Sequence, residues 1–359
     1  MRAAVCHEFG APLRIEQIRI DPPEQGEVQV RVRACGVCHS DIHYIDGSWG
    51  GALPAVYGHE AAGVVESVGP GVTGVAPGDR VIATLLRSCG ECYYCTHESS
   101  HLCDGSFPID DGHRLHAADD TDLVQGLRTG AFAEYVVVDQ SQVAAIPESM
   151  PYESGALLGC GVLTGWGAVV NTARMPAGSS AAVLGIGGVG LNTLQAAALR
   201  DADPLIAIDP ATDKRAVAEN FGATHFLDPA SDDVPAEVQA LTGGRGVDYA
   251  YVTVGSSKVV EAGLKLIRPG GTLVLVGMPA SGDILPMEPG DLAGYGQTII
   301  GSKMGSASME RDIPRLIELY QSGDFKLDEL VSGRYPLEEI NEAISSVKRS
   351  AALRNVIVF

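Results

Sequence analysis

The arrangement of hydrophobic and polar positions divides the chain near residue 150. Before that point, short segments alternate apolar and polar residues with a period of two, and Gly-Pro turns separate them. Segment 28–33 alternates in this way, and 61–68 and 80–83 look like further short strands. Alternation with frequent turns predicts a β-rich first part. The polar, irregular segment 103–129 predicts a surface loop.

Beyond residue 150, apolar strand-like runs alternate with helical patterns. The alternating segments are 181–184, 189–199, 205–208, 214–221, 249–254, 259–267, 272–276 and 299–300. Such alternation predicts a parallel sheet flanked by helices. The last part contains helical patterns at 313–320 and 337–347 and a final strand at 356–358. We therefore predict an α/β protein with a parallel sheet and a separate β-rich part.

Length and charge indicate the number of domains and exclude some kinds of binding partner. A chain of 359 residues is long enough for two domains. Its net charge of −20 argues against nucleic acid and anionic membranes as partners, and a salty habitat or simple solubility would explain it. We find no run of about 18 apolar residues, so no transmembrane helix is expected. The first six residues lead into polar sequence without a signal-peptide pattern, so we expect a cytoplasmic protein with reduced cysteines.

Four cysteines lie within one short segment, at Cys89, Cys92, Cys95 and Cys103. Two overlapping C-x2-C steps and a fourth cysteine can surround one tetrahedral ion, which favours zinc. Disulfides or unlinked thiols are the alternative, and the expected reducing compartment argues against disulfides. Four thiolates close the coordination shell and leave no position for a substrate. The cluster therefore predicts a structural zinc site, and the chemistry must lie elsewhere.

A glycine-rich turn follows the strand-like run 181–184 and begins a helical pattern. It has the form G-x-G-x-x-G at Gly185, Gly187 and Gly190, which is typical of loops that bind the pyrophosphate of a dinucleotide. A plain tight turn is the alternative in a chain with 44 glycines. Asp209 ends the next strand-like run, where a carboxylate can bind the ribose diol and repel a 2′-phosphate. The sequence thus predicts NAD rather than NADP.

Several motifs together resemble the zinc-dependent alcohol dehydrogenases of the medium-chain dehydrogenase/reductase superfamily. They are 36–41 (Gly-Val-Cys-His-Ser-Asp), 58–60 (Gly-His-Glu), the four-cysteine segment, 158–167, the glycine loop with Asp209, and 353–355 (Leu-Arg-Asn). Segment 158–167 is similar to the dimeric class I and class III enzymes, whereas 38–49 looks more like the tetrameric yeast-type enzymes. A homodimer is therefore expected, with a homotetramer as the alternative.

The resemblance implies two domains. A Rossmann domain with a doubly wound parallel sheet would cover 162–305. A β-rich, GroES-like catalytic domain would cover 1–161 and 306–359, and the structural zinc lobe, at about 89–103, would belong to it.

The resemblance also implies a catalytic zinc bound by Cys38, His59 and Cys160. These residues are far apart in the sequence, and a buried cysteine or a hydrogen-bonded histidine is the ordinary explanation for each one alone. A Cys2His set with an open fourth position is known from alcohol dehydrogenase, where zinc acts on the substrate oxygen as a Lewis acid. Asp41 would orient His59 from behind. Glu60 would sit beside the metal without binding it at rest, although that position can ligate in polyol dehydrogenases.

Proton transfer and cofactor binding are assigned to further residues by the same resemblance. Ser40 would take the proton of the alcohol, and His43 would relay it to solvent unless it is simply a surface histidine. The cofactor contacts would be His39, Thr164, Gly185, Gly187, Gly188, Val189, Gly190, Asp209, Lys214 and Arg354. Val189 also suits an ordinary helix core, and Lys214 a solvated helix start.

Trp49, Leu85 and Leu127 would line the substrate pocket by position. Their apolar side chains favour a primary alcohol and its aldehyde, with secondary and aromatic alcohols as alternatives. Class III enzymes hold a glutathione adduct with carboxylates near Trp49, and segment 47–51 has none, so that substrate is not expected. Arg114 or Arg128 could meet an anionic substrate, but a solvated loop charge is the favoured interpretation.

Three functions are consistent with these features. The first is an oxidoreductase with two zinc ions per chain that transfers hydride from a small alcohol to a freely exchanging NAD. The second is a nicotinoprotein that never releases NAD and passes the electrons to an external acceptor. The third, a non-catalytic zinc- and nucleotide-binding protein, is disfavoured because both metal sets are complete.

Overall fold

The computed structural model describes residues 1–349 and 352–359. Its strands, in chain order, are β1 (Arg2–Cys6), β2 (Arg14–Gln17), β3 (Arg19–Ile20), β4 (Glu27–Gly36), β5 (Ala55–Val56), β6 (Glu60–Val68), β7 (Arg80–Thr84), β8 (Leu115–His116), β9 (Asp122–Gln125), β10 (Tyr135–Asp139), β11 (Val143–Ala145), β12 (Ala181–Leu184), β13 (Leu205–Ile208), β14 (His225–Leu227), β15 (Val247–Val252), β16 (Ile267–Leu275), β17 (Thr298–Gly301), β18 (Val331–Pro336) and β19 (Arg354–Val358).

The α-helices, in the same order, are α1 (His39–Ile45), α2 (Tyr93–Thr96), α3 (Tyr152–Leu157), α4 (Leu163–Gly167), α5 (Gly188–Ala198), α6 (Arg215–Asn220), α7 (Val234–Leu241), α8 (Ser257–Leu264), α9 (Pro289–Gly294), α10 (Met309–Ser322) and α11 (Ile340–Lys348). Two π-helical turns, Leu158–Val162 and Ala168–Thr172, follow α3 and α4 and extend them into one helical segment.

The chain divides into two compact units. The first unit comprises Met1–Cys160, Ser308–Gly323 and Leu327–Phe359, and the second comprises Gly161–Ala307 and Asp324–Lys326. The sequence placed the boundaries at 161/162 and 305/306. The sequence did not predict that residues 324–326 belong to the second unit.

The first unit contains two sheets. One has the strand order β2-β1-β5-β9-β8-β3, and the other has the order β11-β7-β6-β4-β19-β18, with β10 also paired to β4. In β4, the alternation predicted from the sequence buries Val28, Val30 and Val32 in the core between more exposed neighbours. A β-branched residue at every second position suits a strand with one buried face.

The second unit is a six-stranded parallel sheet with the order β14-β13-β12-β15-β16-β17. Strands β12 and β13 are buried throughout, as expected when helices cover both faces. If β12 is counted as the first strand, this is the 3-2-1-4-5-6 order of dinucleotide-binding domains. The order reverses beside β12, and the glycine loop lies directly after this strand.

The prediction of a surface loop over 103–129 is wrong in part. Strands β8 and β9 lie within it, and Leu115 and Leu123 are only 1% exposed. Phe107 and Ile109 are also buried and pack on Val137 of β10. Strands of two and four residues are too short to give a periodic signal, so the polar residues around them dominated the prediction.

The apolar character of the helical segment was also missed. Tyr152–Thr172 is long and apolar enough to cross a membrane by length and composition, but 83% of its most apolar window is buried inside the protein. A core helix of a folded domain has the same composition. The segment is therefore explained by core packing.

Candidate active site

Asp41 organises the surroundings of two predicted metal ligands. It lies in the first turn of α1, and Cys38 is the residue immediately before that helix. One carboxylate oxygen of Asp41 accepts hydrogen bonds from the Gly58 amide at 2.9 Å and from Nδ1 of His59 at 2.9 Å. The other accepts the Cys38 amide at 3.1 Å. A fully buried carboxylate thus fixes the backbone of Cys38 and the ring of His59.

The fold of the first unit brings Cys38, His59, Glu60 and Cys160 together. Their ligand atoms all lie within 4.8 Å of one another, and all four residues are buried. Cys160 comes from the π-helical turn Leu158–Val162, a type of turn that is frequent at functional sites. The Thr84 hydroxyl at the end of β7 donates to the carbonyl of Gly159 at 2.5 Å and holds this turn in place.

Two polar atoms of this group are buried without a hydrogen-bond partner in the described part of the chain, Nε2 of His59 and Oε1 of Glu60. A buried, unsatisfied nitrogen is costly, so Nε2 of His59 is suited to bind a metal ion. A hydrogen bond from Cys160, together with the adjacent His59 ring, holds the pKa of the Cys38 thiol well below its usual range. Two sulfurs and one imidazole nitrogen are the donor set that zinc prefers, so the group fits zinc.

Glu60 is paired on its other side. Its second carboxylate oxygen accepts a hydrogen bond from the guanidinium of Arg354, which is 6% exposed. Burial raises the pKa of the Glu60 carboxyl to about 7. The sequence assigned Arg354 to the cofactor pyrophosphate, and the contact found for it within the first unit is this ion pair.

The two residues assigned to proton transfer, Ser40 and His43, both lie on α1 and are half-buried. The ring of His43 stacks on Trp49 with 4.7 Å between ring centroids. Burial lowers the pKa of His43, so the ring is neutral at pH 7 and can accept a proton. His39 is exposed at the start of the same helix.

The four-cysteine cluster has the dimensions of a tetrahedral metal site. Its Sγ atoms lie 4.0 Å apart for Cys89 and Cys95, and 3.8 Å apart for Cys92 and Cys103. Zn–S bonds of about 2.3 Å in a tetrahedron give sulfur separations of about 3.8 Å. These distances are far too long for disulfides, and the cysteines are free. Backbone amides of Glu91 and Cys92 lower the pKa of the Cys89 thiol to about 7, which favours the thiolate.

The glycine loop of the second unit has a separate structural reason for each of its three glycines. Gly185 has a φ of +95°, which favours glycine. Gly187 precedes α5, and a Cβ on it would meet nothing within 4 Å, which leaves space for a ligand. A Cβ on Gly190 would lie 1.9 Å from the carbonyl oxygen of Gly185. This arrangement, with the N-terminus of α5 behind it, suits a pyrophosphate.

Asp209 connects β13 to this loop. Its carboxylate is 6% exposed and accepts the Ile186 amide at 2.7 Å. Nζ of Lys214 lies 3.2 Å from the same carboxylate. Among the other predicted cofactor contacts, Thr164 donates to Sδ of Met304 at 3.7 Å, and Val189 is half-buried in α5.

The predicted pocket residues Trp49, Leu85 and Leu127 are half-buried in the first unit. Arg128 is exposed, as expected for a solvated loop charge. Arg114 differs from both of its predicted roles. It is 7% exposed and holds Glu27 with two hydrogen bonds of 2.9 and 2.7 Å, so it is neither solvated nor available to a substrate. Sequence reasoning missed this pair because the two residues are 87 positions apart.

A second arginine network was missed entirely. Arg87 is 4% exposed, and its Nε donates to the side chain of buried Gln142 at 2.6 Å. The only signal in the sequence is an arginine that directly follows an apolar run, 81–86.

Two family models and a relative of known activity point to one family. Residues 24–148 match the alcohol dehydrogenase GroES-like domain, and residues 188–322 match the zinc-binding dehydrogenase domain. The chain is 40% identical over 366 residues to an NDMA-dependent alcohol dehydrogenase of Amycolatopsis methanolica, covering 99% of this chain and 98% of the relative.

Solved structures agree with this assignment. Benzyl alcohol dehydrogenase from Acinetobacter calcoaceticus aligns with a TM-score of 0.93 and 31% identity over 100% of this chain and 99% of its own. A zinc-binding dehydrogenase from Sinorhizobium meliloti 1021 bound to NADP aligns with a TM-score of 0.84 and 28% identity, with coverage of 100% and 99%.

Proposed function

The chain belongs to the zinc-binding alcohol dehydrogenases of the medium-chain dehydrogenase/reductase superfamily, and on this basis we propose that it interconverts a primary alcohol and its aldehyde with NAD as hydride acceptor. Membership in the family confirms the resemblance and the fold predicted from the sequence. Family membership accounts for the features described above, so a non-catalytic role is not needed to explain them.

The observation that carries this proposal is the unpartnered Nε2 of His59 beside the thiols of Cys38 and Cys160. A buried imidazole whose Nδ1 is held by a carboxylate has a fixed tautomer, and Nε2 then presents its lone pair to a metal. Zinc bound there would polarise the substrate oxygen as a Lewis acid, and NAD bound to the second unit would take up the hydride.

Side chains of α1 supply the proton path in this proposal. Ser40 takes the hydroxyl proton of the alcohol and His43 carries it onward, since its lowered pKa keeps the ring neutral at pH 7. Stacking on Trp49 fixes the orientation of the His43 ring. Loss of this proton leaves an alkoxide, and the aldehyde would form when the alkoxide carbon gives its hydride to NAD. The short helix α1 thus serves the proton transfer alone.

The preference for NAD rests on Asp209. A carboxylate at this position accepts hydrogen bonds from the ribose diol and repels a 2′-phosphate. The ion pair with Lys214 partly offsets that repulsion, and a similar structure binds NADP, so the two cofactors have to be compared directly. We infer that NAD is used at least tenfold more efficiently, which corresponds to about 1.4 kcal/mol.

The test is turnover of an alcohol and aldehyde panel with NAD and NADP, followed by the absorbance of the reduced cofactor. We expect activity on primary alcohols that is lost in Cys38→Ser. Cys6→Ser is the matched control because Cys6 is buried and lies outside both metal groups. Full activity of Cys38→Ser, or loss of activity in Cys6→Ser alone, would contradict the assignment.

A second candidate, a nicotinoprotein with permanently bound NAD and an external acceptor, is favoured by the NDMA-dependent relative. Both candidates use the same residues and differ only in cofactor exchange. Denaturing the purified protein and assaying the released nucleotide separates them. One NAD per chain after extensive dialysis, with turnover that requires NDMA, supports the second candidate, and a nucleotide-free protein supports the first.

We also infer a homodimer, with a homotetramer as the alternative. Strand β17 lies at the edge of the parallel sheet, and Met278, Ile284 and Tyr295 are 61%, 77% and 57% exposed in the segment before it. An open strand edge next to exposed apolar side chains needs cover. The free cysteines suit a reducing compartment, so we infer a cytoplasmic location. Light scattering of the purified protein measures the oligomer directly.

A further inference from the structure

The predicted pocket residue Leu127 lies in a turn with unfavourable backbone angles. Leu127 has φ 52° and ψ 34°, and Arg128 follows it with φ 59°. Both residues carry a Cβ, and the left-handed region is unfavourable for them because the Cβ crowds the following carbonyl. Two such residues in succession persist only where surrounding groups hold them in place.

The groups that hold this turn are Arg87 and Gln142. The carbonyl oxygen of Arg128 accepts a hydrogen bond from Nε2 of Gln142 at 3.0 Å and from Nη2 of Arg87 at 3.4 Å. The Gln142 amide also donates to the carbonyl of Thr84 at 2.6 Å and accepts Nε of Arg87 at 2.6 Å. The NH2 group of Gln142 thus bonds to the turn and to the strand that precedes Leu85, and its oxygen also accepts the Asp139 amide at 3.2 Å.

The opposite side of Arg87 faces the four-cysteine lobe. Its Nη1 donates to Asp110 at 2.5 Å, and its guanidinium lies over the ring of Phe107 at 5.5 Å. Phe107 belongs to a small apolar cluster that packs against Cys89 and Cys103. The three guanidinium nitrogens of one buried arginine therefore bond to Asp110, to Gln142 and to the turn of Leu127, and the same guanidinium lies over Phe107, which packs beside the metal lobe.

The same turn also borders the aromatic residues beside the proposed proton path. A Cβ on Gly126 would lie 2.2 Å from the ring of Tyr57. Tyr57 stacks on Tyr44 at 5.8 Å, and Tyr44 meets the edge of Trp49 at 5.4 Å. Since Trp49 stacks on His43, these rings form a continuous series of contacts from the turn to the proposed proton path.

We propose that Arg87 is a positioning residue that fixes Leu127 in the wall of the substrate pocket and thereby sets the enzyme's preference among alcohols of different size. This inference rests on the function proposed above. A guanidinium presents several donors in one rigid plane, and lysine cannot reproduce that geometry. Without Arg87 the turn relaxes to ordinary backbone angles, and Leu127 leaves its position. We therefore expect large alcohols to lose a contact surface and ethanol to be affected least.

The experiment compares the zinc-loaded protein with Arg87→Met and Arg87→Lys on ethanol, butanol, hexanol and benzyl alcohol. We expect the KM for hexanol and benzyl alcohol to rise at least tenfold in both variants, with kcat on ethanol within about twofold of the unmodified protein. Gln142→Leu acts in the same direction, and the Arg87→Met/Gln142→Leu double variant is no worse than either single one.

Arg114→Met is the matched control, because it removes an equally buried arginine that has no contact with the turn. It lowers the unfolding temperature and leaves the hexanol-to-ethanol ratio unchanged. If folded Arg87 variants keep the original ratio, the proposal is wrong. If Arg87→Met does not fold, Arg87→Lys and Gln142→Leu decide the question.

Hydrogen exchange separates a failure of this inference from a failure of the proposed function. If the unmodified protein oxidises no alcohol, the proposed function fails, but the role of Arg87 in holding the turn is still measurable. The amides of Thr129 and Gly130 both donate to the carbonyl of Gly126, and they exchange at least tenfold faster in Arg87→Lys than in Arg114→Met if Arg87 holds the turn. Equal rates in the two variants would overturn the inference independently of catalysis.

Discussion

Replacing Asp41 with asparagine tests how the proposed catalytic site is assembled. Asp41 is fully buried and accepts three hydrogen bonds, from the amides of Cys38 and Gly58 and from Nδ1 of His59. Asparagine keeps one acceptor oxygen and places an NH2 group against a donor on the other side. One buried donor then faces another, which costs about 1–3 kcal/mol of folding free energy.

The effect on zinc comes from His59. Loss of the Asp41 charge makes the imidazole a weaker ligand and loosens its orientation, and such changes lower metal affinity about 10–100-fold. That range corresponds to about 1.4–2.7 kcal/mol of binding free energy. The four-cysteine cluster does not contact Asp41, so its zinc should be unaffected. We therefore expect Asp41→Asn to retain one zinc tightly and to bind the other weakly.

Competition with a chromophoric chelator measures both affinities, and urea unfolding measures stability. Asp233→Asn is the control for the same substitution at an exposed site, since Asp233 also accepts a backbone amide, at the start of α7, and lies in the other unit. If Asp41→Asn binds two zinc ions as tightly as Asp233→Asn, the assigned role of Asp41 is wrong.

Three further predictions address the relay, the cofactor loop and the metal lobe. Because burial lowers the pKa of His43 below its unfolded value of 6.5, the unfolded state binds more protons, so stability is lost as the pH falls from about 6.5 to the lowered folded pKa. Activity depends on the folded protein and should fall only as the pH approaches that lowered pKa. His43→Gln should flatten the acid side of the pH–rate profile, and an unchanged profile would exclude the relay. Gly190→Ala places a Cβ 1.9 Å from the Gly185 carbonyl oxygen, so NAD affinity measured by fluorescence titration should fall at least tenfold. Gly294→Ala is the control, because Gly294 is also a helical glycine and its added Cβ would meet nothing within 4 Å. Cys103→Ser should release the structural zinc and damage both the oligomer and the affinity for alcohol; a zinc-depleted lobe with normal assembly and normal KM would contradict the link between them.

Elements with a regular hydrophobic period, and motifs with a fixed residue spacing, could be predicted from the sequence. The alternation of Val28, Val30 and Val32 and the glycine loop at Gly185 appear in the structure as a half-buried strand and a strand–turn–helix junction. Each depends on neighbours within a few residues, so local sequence contains the necessary information. The family resemblance added the long-range ligand set, which spacing alone does not reveal.

Features that depend on tertiary contacts were not accessible. Leu115 and Leu123 join the core through strands too short to be periodic. Arg114 was expected to be solvated because its neighbours in the sequence are polar, and Glu27 reaches it from 87 residues away. The hydrogen bond from Arg87 to Gln142 joins residues that are 55 positions apart, and neither residue belongs to a recognisable motif. Buried polar networks of this kind become visible only when the fold brings their members together.

In the function proposed above, zinc held by Cys38, His59 and Cys160 is required for oxidation of alcohols. The most direct measurement is the zinc content of His59→Ala together with its alcohol-dependent reduction of NAD, assayed with NDMA present if the cofactor is retained. We expect the variant to keep one zinc per chain, in the four-cysteine cluster, and to lose roughly 1,000-fold or more in turnover, because a Lewis acid supplies several kcal/mol. Two zinc ions per chain, or turnover equal to that of the unmodified protein, would contradict the account.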